Sequence, residues 1–295
     1  MTSSFVVQID LALAEKLKEG LHTQGFELSS PPYTLFQGKK KGITCTLYTS
    51  GKLMVQGKEM QGFIQFYLEP EILKTFSFGY EKHLLDLTPR IGVDESGKGD
   101  FFGPLCIAGV FATGDGITHL AEIGVKDSKK LSDDSVLKIA QKVRKDYLFH
   151  IVRIGPERYN ELYEKFGNLN LLLGWGHATV IEQLSDQTAC ETIIIDQFAA
   201  EHVVENALRR KNKKVLLTQR TKAEQDPVVA AASILARAAF LEGLDKMEKA
   251  WDCPFPKGAS NATIQAGKNF VRAHGSQTLL QVGKMHFKTA QVILS

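Results

Sequence analysis

The sequence predicts an α/β protein: a mixed sheet with flanking helices in a large C-terminal domain, preceded by a small α+β domain. Three observations carry this. Leu105 to Ala112 is a nearly unbroken apolar run, too apolar for either face to meet water, as in a buried strand. Ile43, Cys45 and Leu47 alternate with polar residues, and after a Ser50-Gly51 turn Leu53 and Val55 continue the pattern, which is a hairpin. Asp226-Pro227 opens a long helix, a cap followed by proline at the first turn. The small side chains of Ala230-Ala231-Ala232-Ser233 imply very close packing of that helix against a sheet.

In chain order, residues 9–21 read as a helix with Leu13, Leu17 and Leu21 on one stripe. The hairpin follows, and 59–69 is a second helix. This first domain covers about 1–80, with a connection ending near Pro89. The second domain, 84–295, opens with a strand at 91–94 and continues with Leu105 to Ala112. Helical patterns occupy about 132–146, 157–165 and 168–185. Glu191 to Asp196 and Val215 to Thr218 are further strands, before the helix from Asp226 to about Ala250. Strands followed by alternating helix and strand indicate a mixed sheet.

Composition is that of a soluble globular chain, 43% hydrophobic and 23% charged over 295 residues. Net charge is only +3, so any nucleic-acid surface must be local. Cys45, Cys106, Cys190 and Cys253 are far apart with no C-x-x-C pair, which leaves neither a zinc pattern nor a disulfide framework. Cys45 and Cys106 lie in apolar strand-like runs, so buried free thiols are expected there. No run approaches the ~18 apolar residues of a membrane span, and the start Met1-Thr2-Ser3-Ser4 is not a signal segment. A cytoplasmic protein, monomeric and without a membrane partner, is expected.

The chemistry concentrates in Gly92-Val93-Asp94-Glu95-Ser96-Gly97-Lys98-Gly99. Gly92, Gly97 and Lys98 match phosphate-loop spacing, but the next residue is Gly99 where Ser or Thr would hold magnesium. Two carboxylates inside the loop would also face the phosphates, so that reading fails. Asp94 and Asp196 each end an apolar strand, and sites of α/β sheets gather at carboxyl ends of strands. Glu95 follows Asp94. In a regular strand the two point to opposite faces; the glycines at 97 and 99 are expected to turn the chain so that both reach one site. Glu224 lies in a loop, Thr221-Lys222-Ala223-Glu224, that can reach the same strand ends. A lone strand-end acid is as readily a cap or an ion pair, but the cluster is not. Clustered carboxylates repel one another unless cations compensate. Hard divalent ions, Mg2+ or Mn2+, suit oxygen ligands of this kind, and two of them can serve phosphoryl transfer.

Ile91 to Pro104, with Gly-Lys-Gly at 97–99, resembles the opening motif of type 2 ribonucleases H and in particular ribonuclease HIII. Asp127-Ser128-Lys129-Lys130-Leu131, Asn168-Leu169-Asn170 with Trp175-Gly176-His177, Ile195-Asp196-Gln197-Phe198, Thr221 to Glu224 with Val229 to Arg237, and Phe255 to Ser260 resemble the family's later segments in order. The resemblance spans about 90–290. It implies a ribonuclease H-like fold and divalent-metal hydrolysis of the RNA strand of RNA/DNA hybrids, leaving 5′-phosphate and 3′-hydroxyl ends. It carries Asp94, Glu95, Asp196 and Glu224 over as metal ligands and catalytic acids. Asp226 competes for the fourth place but reads as the helix cap. The N-terminal segment is similar to that family's extra domain, which resembles the TATA-box-binding protein and is thought to grip the hybrid; Tyr48 to Lys52 and Val55 to Lys58 match its pattern.

Gly97, Lys98 and Gly99 are expected to approach phosphates and the 2′-hydroxyl, which distinguishes RNA from DNA. Ser128, Lys129, Lys130 and Lys222 are further substrate contacts. In the first domain, Lys39, Lys41 and Lys58 with Tyr33 and Phe36 combine cations and aromatics suited to backbone grip and stacking; a charged turn over core aromatics is the alternative. Arg209 to Lys214 reads as a solvated basic loop, and His177 as a structural residue rather than a base. A non-catalytic binder and a DNA-directed nuclease of the same superfamily are the competing functions; the intact acids oppose the first, and the Gly-Lys-Gly turn opposes the second.

Overall fold

The computed structural model describes residues 4–74, 86–125, 128–196, 202–221 and 223–295. The chain divides into two compact units, Met1–Leu85 and Asp86–Ser295.

In the first unit an antiparallel sheet has the order β1-β5-β4-β3-β2. The strands are β1 (Ser4–Gln8), β2 (Glu27–Ser29), β3 (Thr34–Lys40), β4 (Ile43–Tyr48) and β5 (Lys52–Gln56). Gly51, at φ +80°, closes the β4–β5 hairpin by donating its amide to the Tyr48 carbonyl at 2.9 Å. Period-two alternation sorts the faces. Phe36, Cys45, Leu47, Leu53 and Val55 turn inward with Leu17 and Leu21 of α1 (Ala14–Thr23), while Val6, Leu35, Lys39 and Lys52 are exposed. α1 starts later than the leucine stripe suggests, because Asp10 accepts from the Ala12 amide and caps a preceding 3-10 turn, Leu11–Leu13. The second helix, α2 (Met60–Phe63), continues as a π-helical stretch, Ile64–Leu73, with Pro70 inside. Proline lacks the amide that a regular helix would use there.

The second unit is built on a five-stranded sheet of order β10-β9-β6-β7-β8. β6 (Arg90–Ser96) lies parallel to β9 (Thr192–Asp196) and antiparallel to β7 (Leu105–Ala112); β8 (Leu148–Ile154) and β10 (Leu216–Arg220) form the edges. Helices cover both faces. Ile91, Val93, Ile193 and Ile195 pack with Leu172, Leu173 and Val180 of α6 (Leu169–Thr188), flanked by α5 (Pro156–Phe166) and α7 (His202–Arg210). On the other face Ala108 and Val110 meet α3 (Asp115–Glu122), α4 (Asp133–Asp146) and α8 (Pro227–Trp251). The expected close approach of α8 is present: a Cβ on Gly92 would stand 2.4 Å from the Val229 amide nitrogen. α8 corrects one expectation, since it is long and apolar enough to pass for a membrane span; 83% of its apolar window is buried, as in a core helix. α9 (Asn261–His274) and α10 (Lys288–Leu294) enclose a third cluster around Phe101, Phe102, Phe255 and Phe270.

Candidate active site

The register of the parallel pair, Ile91 with Ile193 and Val93 with Ile195, brings Asp94 and Asp196 out at neighbouring strand ends. β6 does not turn after Asp94. It stays paired with β7 through Ser96, so Asp94 and Glu95 point to opposite faces. Asp94 meets Ser233 of α8, and Glu95 meets His177 of α6. The turn comes after both acids, at Gly97 with φ +86°, where a Cβ would lie 2.2 Å from the Pro104 carbonyl oxygen. Both acids still border one cleft, because it opens at the strand end and not on one face. Asp94, Glu95, Asp196, Gly97, Lys98, Gly99, Ser128 and Lys129 line this cavity of about 540 Å³. Gly99 faces open space, which leaves its backbone approachable.

Burial pushes the Asp94 carboxyl up to about 7, and the charges of Glu95 and Asp196 add to it, against hydrogen bonds from Ser233 and the Glu95 amide. For Glu95 burial acts upward too, but the His177 hydrogen bond and the charge of Lys98 bring it below the usual range. Its Oε2 is 3.1 Å from His177 Nε2 and its Oε1 3.6 Å from Lys98 Nζ. Asp196 accepts the Ala223 amide at 3.2 Å, which ties the 223–225 turn to β9. Glu224 sits in that turn but outside the cavity lining. Among the described residues no three His, Cys, Asp or Glu side chains stand close enough to form a ready metal cage. The donor set nonetheless fits a hard cation: Asp94, whose carboxyl resists ionisation, lies beside two more carboxylates, and a divalent ion there would favour its charged form.

Asp226 is occupied elsewhere. Its Oδ1 caps α8 by accepting the Val228 amide at 2.9 Å, and its Oδ2 takes buried Arg90 at 2.8 Å and Arg220 at 3.2 Å. Glu224 is the acid of this segment that does not cap α8.

Ser128 is buried with its hydroxyl 2.8 Å from that of Ser233, so it supports the Asp94 wall. Lys222 and Asp127 lie outside the described residues, as do Gln197, Phe198 and the side chain of Lys130. In the first unit Tyr33 is 85% exposed, and Lys39, Lys41 and Lys58 are exposed too. Phe36 corrects the expectation of a stacking ring: it is 3% exposed and belongs to the core, because its strand position points at α1 and not outward.

Sequence reasoning missed His177 as the partner of Glu95, and it missed Arg237, Lys257 and Lys284. Lys284 is wholly buried, with Nζ donating to the carbonyls of Gly103 at 2.7 Å and Asp100 at 2.8 Å, 5.6 Å from the Tyr159 ring centroid. Burial pushes its amine down to about 7, against the charge of Asp100. Beside it the Lys284 amide donates to Phe101 and the Gly103 amide to Val282. The 282–284 segment therefore fixes the loop that follows Gly97–Gly99.

The ribonuclease HII family profile matches residues 91–290. A domain of unknown function, DUF3378, matches 4–78. Ribonuclease HIII of Protochlamydia amoebophila is 56% identical over 290 residues, covering 98% of this chain and 96% of its own. The chain belongs to the ribonuclease HIII family. Ribonuclease HIII of Chlamydia caviae is 48% identical over 292 residues, covering 98% of this chain and 97% of its own. Bst-RNase HIII, whose crystal structure is a complex with Mn2+, superposes with a TM-score of 0.68 at 28% identity, over 99% of this chain and 98% of that one. The profile spans every second-unit motif from Ile91 onward, and the Bst enzyme extends the likeness to both units.

Proposed function

We propose that the protein is an endoribonuclease that cuts the RNA strand of RNA/DNA hybrids, with Asp94, Glu95, Asp196 and Glu224 holding Mg2+ or Mn2+. The observation that carries this is the meeting of Asp94, Glu95 and Asp196 at the ends of two adjacent parallel strands, in one cleft with Lys98 and Lys129. Divalent ions held by these acids would supply Lewis-acid stabilisation of an attacking water and of the leaving oxygen, the chemistry that gives 5′-phosphate and 3′-hydroxyl ends. The chain itself orients the acids. Ser233 and the Glu95 amide hold Asp94, His177 holds Glu95, and the Ala223 amide holds Asp196. Lys98 and the backbone at Gly97 and Gly99 take the phosphate and the 2′-hydroxyl at the cut, with Lys129, Lys130 and Lys222 on neighbouring phosphates. Tyr33, Lys39, Lys41 and Lys58 of the first unit grip the duplex. The reading makes the enzyme a cytoplasmic monomer, consistent with thiols that burial keeps unreactive: Cys45 and Cys106 are pushed up to about 12.

The test is one labelled sequence offered as hybrid, DNA duplex and RNA duplex, with Mg2+, Mn2+ or chelator. Metal-dependent cutting of the hybrid's RNA strand alone is expected; cutting of the DNA duplex would overturn the assignment. Asp94→Asn and Asp196→Asn are each expected to abolish cleavage while hybrid binding survives.

A further inference from the structure

The cleft is bipolar. Besides the carboxylates, its lining includes the cations Arg237 and Lys257. They come from α8 and from the loop after it, far along the chain from the strand that carries Asp94. One carboxylate organises both. Asp133, at the first turn of α4, accepts Arg237 through Oδ1 and Lys257 through Oδ2, each at 2.6 Å. The two cations differ in what they have left to offer. Arg237 is 20% exposed and also donates to the Ser128 carbonyl, so its fork is largely spent on fixing the wall. Lys257 is 48% exposed, and its ammonium keeps donors for a second anion.

The loop that carries Lys257 is also fastened to the acids' own loop. Asp100 Oδ1 accepts the Gly258 amide at 2.6 Å, and the Phe101 amide donates to the Gly258 carbonyl at 3.0 Å. Lys257 is thus held at a fixed place in the lining of the cleft that Asp94 also borders, through Asp133 at its side chain and Asp100 at the next residue's amide. Fixed, half-exposed cations facing a cleft built for phosphodiesters meet phosphates.

We propose that Lys257 is a substrate-binding residue that contacts one backbone phosphate beside the linkage being cut, and that Asp133 and Arg237 are its positioning residues. This rests on the hybrid-nuclease reading above. Lys257 adds affinity and fixes register along the strand, because a phosphate contact positions the duplex without reading bases.

The experiment measures binding of a labelled hybrid by fluorescence anisotropy over a range of salt, in full-length protein carrying Asp94→Asn to prevent cleavage. Adding Lys257→Ala should weaken binding about 3–10-fold at low salt and reduce the slope of log Kd against log salt by about one, the share of a single phosphate. Lys257→Arg should restore most of both. Neutral methylphosphonate linkages are then placed one at a time along the RNA and DNA strands. At one linkage the Lys257→Ala penalty should vanish, since the contact is already gone. Unchanged affinity and slope in Lys257→Ala would overturn the proposal. A penalty that persists at every linkage would do so as well, because it would mark a disturbed loop and not a lost contact; melting curves of each variant report that disturbance directly. If the Asp94→Asn parent fails to bind hybrid, the nuclease reading itself falls, an outcome distinct from a bound parent that ignores Lys257.

Discussion

Asp94 lies partly buried against α8, one residue from Glu95 and one strand from Asp196, and its carboxyl is pushed up to about 7. In the unfolded chain the same group titrates near 4. Between those values the native state holds the proton and the unfolded state does not, so stability from this group is present below about 4 and is lost as pH rises to about 7. Above that the metal-free protein carries an unfavourable buried charge. Asp94→Asn should therefore stabilise the metal-free protein at pH 8 by about 1–3 kcal/mol, discounted for its shared titration with Glu95. That corresponds to a Tm rise of several degrees, with little change at pH 4. A lower Tm for the variant at pH 8 would refute this view of the site. Mn2+ should raise the Tm of the wild-type protein more at pH 8 than at pH 5, because the ion must displace a proton from Asp94. The acids were legible in the sequence because a carboxylate closing an apolar strand is chemically anomalous on its face. His177 and Lys284 were not: a histidine in a helix and a lysine in a loop look ordinary until partners 82 and 181 positions away are known.

At the scale of elements, β6 and α8 set the site by how closely they approach. Gly92→Ala places a methyl against backbone atoms of Val228 and Val229 that no rotamer change can clear. Thermal melting should show a loss of about 3 kcal/mol, the upper end for overpacking. The start of α8 separates the two acids of its segment. Asp226→Asn breaks a buried pair and leaves the Arg90 charge without its carboxylate, at a cost of about 3–5 kcal/mol. Glu224→Gln should leave the Tm almost unchanged and remove most of the cleavage. The reverse pattern, a stable Asp226 variant without activity, would move the fourth ligand to Asp226. Buried strands and the capped helix could be read in the sequence because their periodicity and punctuation are local. The failures had non-local causes. The continuation of β6 past Asp94 depends on pairing with β7, and the inward turn of Phe36 depends on which face α1 covers.

At the scale of the whole molecule, each unit has its own core, and the sequence marks the division through a change of pattern near Pro89. Protein lacking residues 1–85 should fold and still cut hybrids, with binding weakened more than turnover at saturation. Equal affinity with and without the first unit, measured by anisotropy, would remove its gripping role. Lys284 adds a matter of timing. It reaches back 184 residues to the Asp100 carbonyl, and its neighbours pair with Phe101 and Gly103. A ribosome adding about 5–20 residues per second makes the acids' loop about 10–40 s before it makes that lysine. During that interval the loop beside Gly97–Gly99 lacks its anchor, so a growing chain carries all its early acids without a finished cleft. The contacts that fix the loop beside Gly97–Gly99 can therefore form only late in synthesis, after the residues of the strands, the long helix and the 255–260 loop have been made.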